Sequence, residues 1–373
     1  MKLTFCAPCI FGLEGLCANE LKFLGIENVR AENGRVLFDG DFSTLARANL
    51  NSRYAERIQI LLGEFEAHSF DELFEGVRAI GWESFIGVSD AFPVKGRCHN
   101  STLMSTPDCQ KIIKKAVVSR LSQKYTLSWF EETGAVHQIQ FLILNDRASI
   151  LLDASGAGLH KRGYRAESNE APIKETLAAA MVELSRVRRN HFVRDPMCGS
   201  GTILIEAAMK ALNIAPGLRR FFACEAWDCV PKEAFALERE RAEAARRNDA
   251  DCGFRAFGSD IDPAALEIAE HNAALAGVGD RISFSRRDLR DYKPSEGYEA
   301  VITNPPYGER LLDVSEAEKL YKLMGERFVP QRGKSYTIIT PDDDFEKVFG
   351  RKADKRRKTY NGMLKCQIYM YFK

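Results

Sequence analysis

Over residues 1 to about 160, apolar positions switch repeatedly between strict alternation and helical spacing, so short strands and helices are expected to follow one another. GRVLFDG, residues 34–40, reads as a strand between glycines. DFSTLARANLNSRYAERIQILLGEF predicts a helix with its polar cap at Ser43, then a strand over RIQILLGEF. SFDELFEGVRAIGW predicts an amphipathic helix that starts at Ser69 or Asp71 and stops near Gly81. AFPVKGRC reads as a strand. TPDCQKIIKKAVVSRLSQKY reads as a helix with Pro107 in its first turn and an apolar stripe of Ile112, Ile113, Ala116, Val117 and Leu121. AVHQIQFLILNDRASILLDAS alternates through a hairpin turn at Asn145 and Asp146. Elements this short predict one or two small α+β units.

The pattern changes near Ser155. GAGLHKRGYRAESNEAPIKE is glycine-rich, basic and polar, and reads as a linker or functional loop. Beyond it a buried strand, a glycine turn and a helix recur, first in HFVRDPMCGSGTILIEAAMKAL and again in FRAFGSDIDPAALEIAEHNAALAG. RISFSRRDL, YEAVITNPPYG and KSYTIITP add further strands that end in polar or Pro-Gly loops. This alternation predicts a doubly wound α/β sheet with ligands at the carboxyl ends of its strands. KTYNGMLKCQIYMYF closes the chain as two strands around an Asn-Gly turn, so the sheet is expected to end in a hairpin.

A chain of 373 residues calls for two or three domains, and 45% apolar residues suffice for ordinary cores. Lys and Arg number 53 against 52 Asp and Glu, so net charge points to no polyanion and local clusters must decide. Three clusters stand out: HKRGYR, RVRRNHFVR and RKADKRRK, each a candidate for phosphate contact. The first supplies His160, Lys161, Arg162 and Arg165 as candidate RNA-binding residues. The start of the chain lacks the features of a signal peptide, and no apolar run is long enough to span a membrane. Ten irregularly spaced cysteines suit a reduced, cytoplasmic protein. Cys6 and Cys9 form a C-x-x-C with no second pair, and the six histidines show no ligand spacing, so no metal is expected.

Four stretches carry candidate chemistry. In DPMCGSGT, residues 195–202, Asp195 ends a strand and two glycines lead into a helix. Glycine lets a backbone approach a ligand, and a helix start offers free N–H donors, although a tight structural turn uses the same residues. A nicotinamide fingerprint would need glycine at Leu204, and no Gly-Lys-Ser/Thr is present, so neither NAD nor a P-loop is indicated. In GSDID, Asp260 falls where a carboxylate can accept both hydroxyls of a ribose, whereas Asp262 before Pro263 suits a helix N-cap. Asp288 follows the next strand and can either accept from an adenine amine or stay solvated. In TNPPYGER, Asn304 offers a side-chain carbonyl and Pro305 a carbonyl with no N–H. Two acceptors can hold both hydrogens of a planar exocyclic amine, free its lone pair, and leave Tyr307 to stack on the ring.

DPMCGSGT, GSDID and NPPYG, in that order, resemble the S-adenosylmethionine-dependent methyltransferases of exocyclic amines. LHKRGYR and APIKETLAAA ahead of them resemble the approach to the glycine loop in THUMP-domain RNA methyltransferases, especially the bacterial type that makes N2-methylguanosine in 23S ribosomal RNA. The resemblance covers essentially the whole chain. It implies a ferredoxin-like segment over 1–60, a THUMP RNA-binding domain over 61–158 and a Rossmann-like methyltransferase domain over 159–373. It implies S-adenosyl-L-methionine as cofactor, held by Asp195, Pro196, Cys198, Gly199, Ser200, Gly201 and Thr202, with Asp260 and Ile261 at the ribose and Asp288 at the adenine. Asn304, Pro305, Pro306 and Tyr307 become the amine site. The implied substrate is RNA, either large-subunit rRNA or an assembly intermediate, with guanine N2 as the target and no obligate protein partner. The alternatives left open are adenine N6 in RNA or DNA, a tRNA guanine N2, a protein glutamine, and a non-catalytic RNA-binding module that keeps the fold.

Overall fold

The computed structural model describes residues 2–165, 173–247, 252–307 and 314–372. The first half builds one sheet. It contains β1 (Leu3–Pro8), α1 (Glu14–Phe23), β2 (Glu27–Glu32), β3 (Arg35–Gly40), α2 (Phe42–Asn51) and β4 (Gln59–Glu66). Then follow α3 (Phe70–Arg78), β5 (Val94–His99), α4 (Thr106–Tyr125), β6 (Ile139–Leu144) and β7 (Arg147–Asp153). The strand order is β2-β3-β1-β4-β7-β6-β5, a single seven-stranded sheet. β4 runs across the expected division at residues 60 and 61, pairing antiparallel with β1 on one side and β7 on the other. The two small units therefore share their central strand.

Local signals act as expected at most ends of these elements. Ser69 accepts from the Glu72 N–H at the start of α3, and Ser105 accepts from Asp108 ahead of Pro107 in α4. Asn145 and Asp146 both take positive φ, 50° and 61°, between paired Leu144 and Arg147, as a two-residue hairpin turn requires. One cap differs. Asp41, not Ser43, caps α2, because its carboxylate reaches the Thr44 N–H at 2.9 Å while Ser43 already lies within the first turn.

The second half contains α5 (Glu175–Leu184), β8 (Phe192–Asp195), α6 (Thr202–Ala211), α7 (Lys232–Ala244), β9 (Arg255–Asp260) and α8 (Pro263–Ala276). It continues with β10 (Ile282–Arg286), β11 (Glu299–Thr303), α9 (Val314–Arg327), β12 (Lys334–Thr340), α10 (Phe345–Phe349), β13 (Lys355–Asn361) and β14 (Leu364–Tyr371). These strands form a second seven-stranded sheet in the order β10-β9-β8-β11-β12-β14-β13. β8 to β12 are parallel, and β14 and β13 are antiparallel. The expected doubly wound sheet is present, with β8 at the point where strand order reverses. The closing hairpin is present too, but its turn is Gly362-Met363, since Asn361 still pairs with Leu364.

The halves meet over an ionic and polar seam. Trp227 donates to the Val136 carbonyl at 3.0 Å and stacks on His137 with ring centroids 4.5 Å apart. Arg53 donates to the Ile214 carbonyl at 2.8 Å, and Arg47 pairs with Glu238 at 3.0 Å. Burial works to raise the Glu56 pKa, but bonds from His160, Thr176 and Lys174 outweigh it and hold the carboxyl down at about 2. Arg162 lies at the centre of the seam. It is buried, donates to the carbonyls of Leu159 at 2.8 Å and Arg53 at 2.6 Å, and pairs with buried Glu206 at 3.4 Å.

This geometry corrects the expected RNA-binding role of Arg162, whose guanidinium is spent inside the protein. Arg165 is likewise turned inward, to the Ile173 carbonyl and the Thr202 hydroxyl. His160 faces Glu56 at 3.7 Å, and only Lys161 of the four is exposed. In RVRRNHFVR, Arg194 is tied to Glu299 at 2.8 Å, while Arg188 and Arg189 are exposed.

Removing Arg162 leaves buried Glu206 short of its ion-pair partner. Arg162→Ala is therefore expected to cost about 3–5 kcal/mol of stability, whereas Lys161→Ala should change it by less than about 0.5 kcal/mol. Urea unfolding followed by fluorescence measures both, and equal effects would refute the inward role of Arg162.

Candidate active site

The carboxyl ends of β8, β9 and β11 open into one cavity of about 980 Å³. Its first wall is the loop between β8 and α6. Cys198 N–H donates to the Ser259 carbonyl at 3.0 Å, and Gly199 N–H to the Asp260 carboxylate at 2.9 Å. The loop is thereby stitched to the end of β9. Gly201 has φ +77°, and a Cβ there would lie 3.1 Å from Ala269 Cβ and 3.3 Å from Phe284. The close approach of α8 and β10, together with the left-handed backbone, requires glycine at this position. Gly201 thus shapes the loop and does not itself line the cavity. Asn272, buried in α8, supports the loop by donating to the Ser200 carbonyl at 3.2 Å.

Asp195 is fully enclosed at the end of β8. It accepts from the Thr303 hydroxyl at 2.8 Å and from the Met197 N–H at 3.2 Å. Burial pushes its pKa up to about 7 despite those bonds, and the neighbouring Asp260 adds to the rise. Asp260 accepts two backbone N–H groups, from Gly199 and Asp262, which fixes both carboxylate oxygens at the cavity wall. Asp262 caps α8 through the Ala264 N–H with Pro263 at its first turn, as its sequence context implies. Asp288 caps a short turn after β10, and its pKa is lowered chiefly by the side-chain bond from Arg290. Burial raises the Cys198 thiol well above its usual range, so it is not a thiolate nucleophile.

The opposite wall follows β11. Asn304, Pro305, Pro306 and Tyr307 line the same cavity as Pro196, Cys198, Gly199, Ser200, Thr202, Asp260, Ile261 and Asp288. Tyr307 is buried, and its hydroxyl donates to the Asn304 side-chain carbonyl. A carbonyl oxygen has two lone pairs, so this bond orients Asn304 and leaves acceptor capacity. Gly308, Glu309 and Arg310 of the TNPPYGER stretch lie outside the described residues, as do Ala171 and Pro172 of APIKETLAAA.

The cavity also contains residues that sequence patterns did not single out. Asn361, the last residue of β13, is buried at its edge with its amide 3.5 Å from the Tyr307 hydroxyl. In the sequence it passed for a turn residue. Glu316, Lys319, Leu320 and Leu323 bring one face of α9 to the opening, and Ile173 closes the side near the linker. Ile173, Leu320 and Leu323 read as ordinary core and Glu316 and Lys319 as a solvated helix face, so no signal marked them. His160, Lys161, Arg162 and Arg165 do not line the cavity, although Arg165 holds Thr202 in its wall. Among the described residues no group of three or more His, Cys, Asp or Glu could hold a metal ion.

A cavity of this size has the parts for an extended ligand with an aminoacyl end, a ribose and a purine, seated beside a second planar group at Asn304. Known proteins resemble this chain over its whole length. The family model described as the RMKL-like methyltransferase domain matches residues 162–370. The RlmL ferredoxin-like domain matches 4–59 and the THUMP domain 67–153. The chain is 43% identical to YpsC of Bacillus subtilis (strain 168), named as a candidate RNA methyltransferase, over 100% of this chain and 96% of that one. It is 37% identical to the ribosomal RNA large subunit methyltransferase K/L of Psychromonas ingrahamii over 99% of its own length, and it spans only 50% of that relative. A methyltransferase candidate, SMU.472, solved with SAH, has TM-score 0.92 and 41% identity, covering 100% of this chain and 98% of that one. A Listeria monocytogenes protein named as an N6-adenine-specific DNA methylase has TM-score 0.93 and 43% identity, covering 100% and 96%.

Gly201→Ala forces a left-handed backbone onto alanine against α8 and should cost about 1–3 kcal/mol. Gly253→Ala, which meets nothing within 4 Å, serves as the control. Chemical denaturation compares the two, and equal stability would contradict the crowding described for the loop.

Proposed function

The chain belongs to the RMKL-like methyltransferase family, and we propose on that premise that it methylates the exocyclic amine of an RNA base, guanine N2 in large-subunit rRNA. What supports this reading most is the shared cavity. Asn304 and Pro305 lie in the same enclosure as the glycine loop, Asp195, Asp260 and Asp288. A methyl donor and an amine acceptor can thus be held side by side.

S-adenosyl-L-methionine is the cofactor, and it supplies an electrophilic methyl group on a positively charged sulfur. The loop of Asp195, Pro196, Cys198, Gly199, Ser200 and Thr202 is assigned its methionine end, Asp260 and Ile261 its ribose, and Asp288 its adenine. The SAH-bound relative supports the choice of cofactor. The Asp195 and Asp260 carboxyl groups lie in the wall assigned to this cationic ligand. Across the cavity, the Asn304 side-chain carbonyl and the Pro305 backbone carbonyl are assigned the two hydrogens of the target amine. Both bonds draw the nitrogen lone pair out of conjugation with the ring, and Pro306 keeps the clamp rigid. The amine needs no strong base before attack, because it becomes acidic only once alkylated. Orientation and electrostatics supply the catalysis. The base must leave its stack to enter so closed a site, and Tyr307 offers its ring face there.

RNA is favoured as substrate by the THUMP domain and by the rRNA methyltransferase name of the K/L relative. Large-subunit rRNA, free or within an assembly intermediate, is the proposed form, which places the work in the cytoplasm. Adenine N6 is the second reading, favoured by the name of the Listeria protein.

Incubating the protein with labelled S-adenosyl-L-methionine and separate pools of unmodified rRNA, tRNA, DNA and protein is expected to label rRNA. Label confined to any other pool rejects the proposed substrate. Asn304→Ala should lower kcat about 100-fold or more while cofactor affinity stays within about twofold. A normal rate in that variant removes the clamp from the account.

The raised Asp195 pKa gives a pH signature. In the unliganded fold the protonated form is favoured up to about 7. Stability from that form is complete below the unfolded carboxyl pKa and lost as pH rises through about 7. A cationic ligand favours the carboxylate, so binding releases a proton, and affinity should strengthen as pH rises toward 7 and then level. Asp195→Asn should flatten that dependence. Calorimetric titration in buffers of different ionisation enthalpy measures the released proton, and a pH-independent affinity in the wild type would contradict the assignment.

A further inference from the structure

The C-terminal hairpin, which brings Asn361 to the cavity, packs against the N-terminal segment. β14 runs antiparallel to β12, with Thr340 opposite Gln367, so the hairpin turn lies at the carboxyl edge of the parallel strands. That is the edge on which the cavity opens, and Asn361 reaches it from the inner face of β13. Side chains alternate along a strand, so the opposite face of β13 carries Arg356, Lys358 and Tyr360, all exposed. Tyr360 pairs across the hairpin with Lys365, also exposed, and Met363 at the tip is 95% exposed.

The N-terminal segment completes this surface. Arg357 donates to the Gly12 carbonyl at 2.6 Å, and Gly12, with φ +87°, leaves no room for a Cβ beside the Lys358 carbonyl. That close contact sets Phe11 against Tyr360, with ring centroids 6.4 Å apart and planes at 75°. Both rings remain in solvent, 53% exposed for Phe11 and 42% for Tyr360. Beside this face Glu346 pairs with Arg356, and Asp343 accepts from the Gln367 amide. Among the described residues, no ion pair or hydrogen bond is made by the ammonium groups of Lys358 and Lys365.

We propose that Phe11, Tyr360, Lys358 and Lys365 form a platform for the single-stranded RNA that flanks the target base, with bases on the rings and phosphates at the lysines. The proposal rests on the RNA reading of the cavity and adds where the strand runs. Two exposed rings beside two uncompensated cations suit a stacked, anionic strand. A protein partner is disfavoured, because lysine is depleted in protein interfaces and the exposed apolar area here is confined to two rings and a methionine. Lys358, on the edge strand β13, also blocks pairing with another chain, and that role alone predicts no effect on RNA.

The test uses the full chain, a fluorescent oligouridylate and transcribed large-subunit rRNA. Phe11→Ala with Tyr360→Ala should weaken oligouridylate binding by about tenfold or more. The same pair should raise KM for rRNA and leave cofactor affinity unchanged. Phe11→Leu with Tyr360→Leu, which keeps apolar volume and removes the π faces, should show the same direction if the alanine pair is poorly folded. Lys358→Gln with Lys365→Gln should lower the slope of log affinity against log salt by about 1.4. Wild-type affinity and salt slope in all three variants would overturn the platform, even with the wild type methylating rRNA. Loss of activity on ribonucleoprotein alone, with oligouridylate binding intact, would also overturn it and assign the surface to a protein. A wild type that binds oligouridylate through these residues but labels no RNA would sink the proposed substrate and leave the platform standing.

Discussion

The hydrogen bond from Thr303 to Asp195, 2.8 Å long and wholly buried, joins the two sides of the site. Thr303 ends β11 and is followed directly by Asn304, whereas Asp195 ends β8 and opens the glycine loop. β8 and β11 are parallel neighbours, so both strands deliver their carboxyl ends to one edge. A carboxylate this enclosed is costly to ionise, and the hydroxyl of Thr303 is one of its few compensations. The distance between the glycine loop and Asn304 is therefore fixed by sheet register and one polar contact.

The rest of the chain keeps that arrangement in a fixed relation to the N-terminal half. Arg162 crosslinks backbone carbonyls of the N-terminal half to Glu206 in α6, the helix that leaves the glycine loop. Arg165 reaches the same helix at Thr202. The linker, which by composition looks like a loop for a polyanion, instead transmits the position of one half to the other. β4 does the same for the two N-terminal units, which cannot shift independently while sharing a strand.

Much of this was legible in sequence because the relevant signals are local. A strand that ends in Asp, followed by two glycines and a helix, can be read from consecutive residues, and so can an Asn-Pro-Pro-Tyr after a buried strand. The residues that escaped notice are placed by long-range pairing. Asn361 enters the cavity only because β13 lies antiparallel beside β14 with that residue still in register. The face of α9 at the opening combines Leu320 and Leu323, indistinguishable from core, with Glu316 and Lys319, which read as an ordinary solvated face. Arg162 was misjudged because charge is visible in a sequence and burial is not. Asp41 and Ser43 are both good caps, and only the first helical residue decided between them.

The identity of the methylated base bears most directly on the central claim that the Asn304 clamp serves an RNA guanine. Ribosomal RNA from cells lacking the protein can be treated with the purified enzyme and S-adenosyl-L-methionine, then digested and resolved by mass spectrometry. The account predicts a gain of N2-methylguanosine. A gain of N6-methyladenosine, or no new methylated nucleoside, would contradict it.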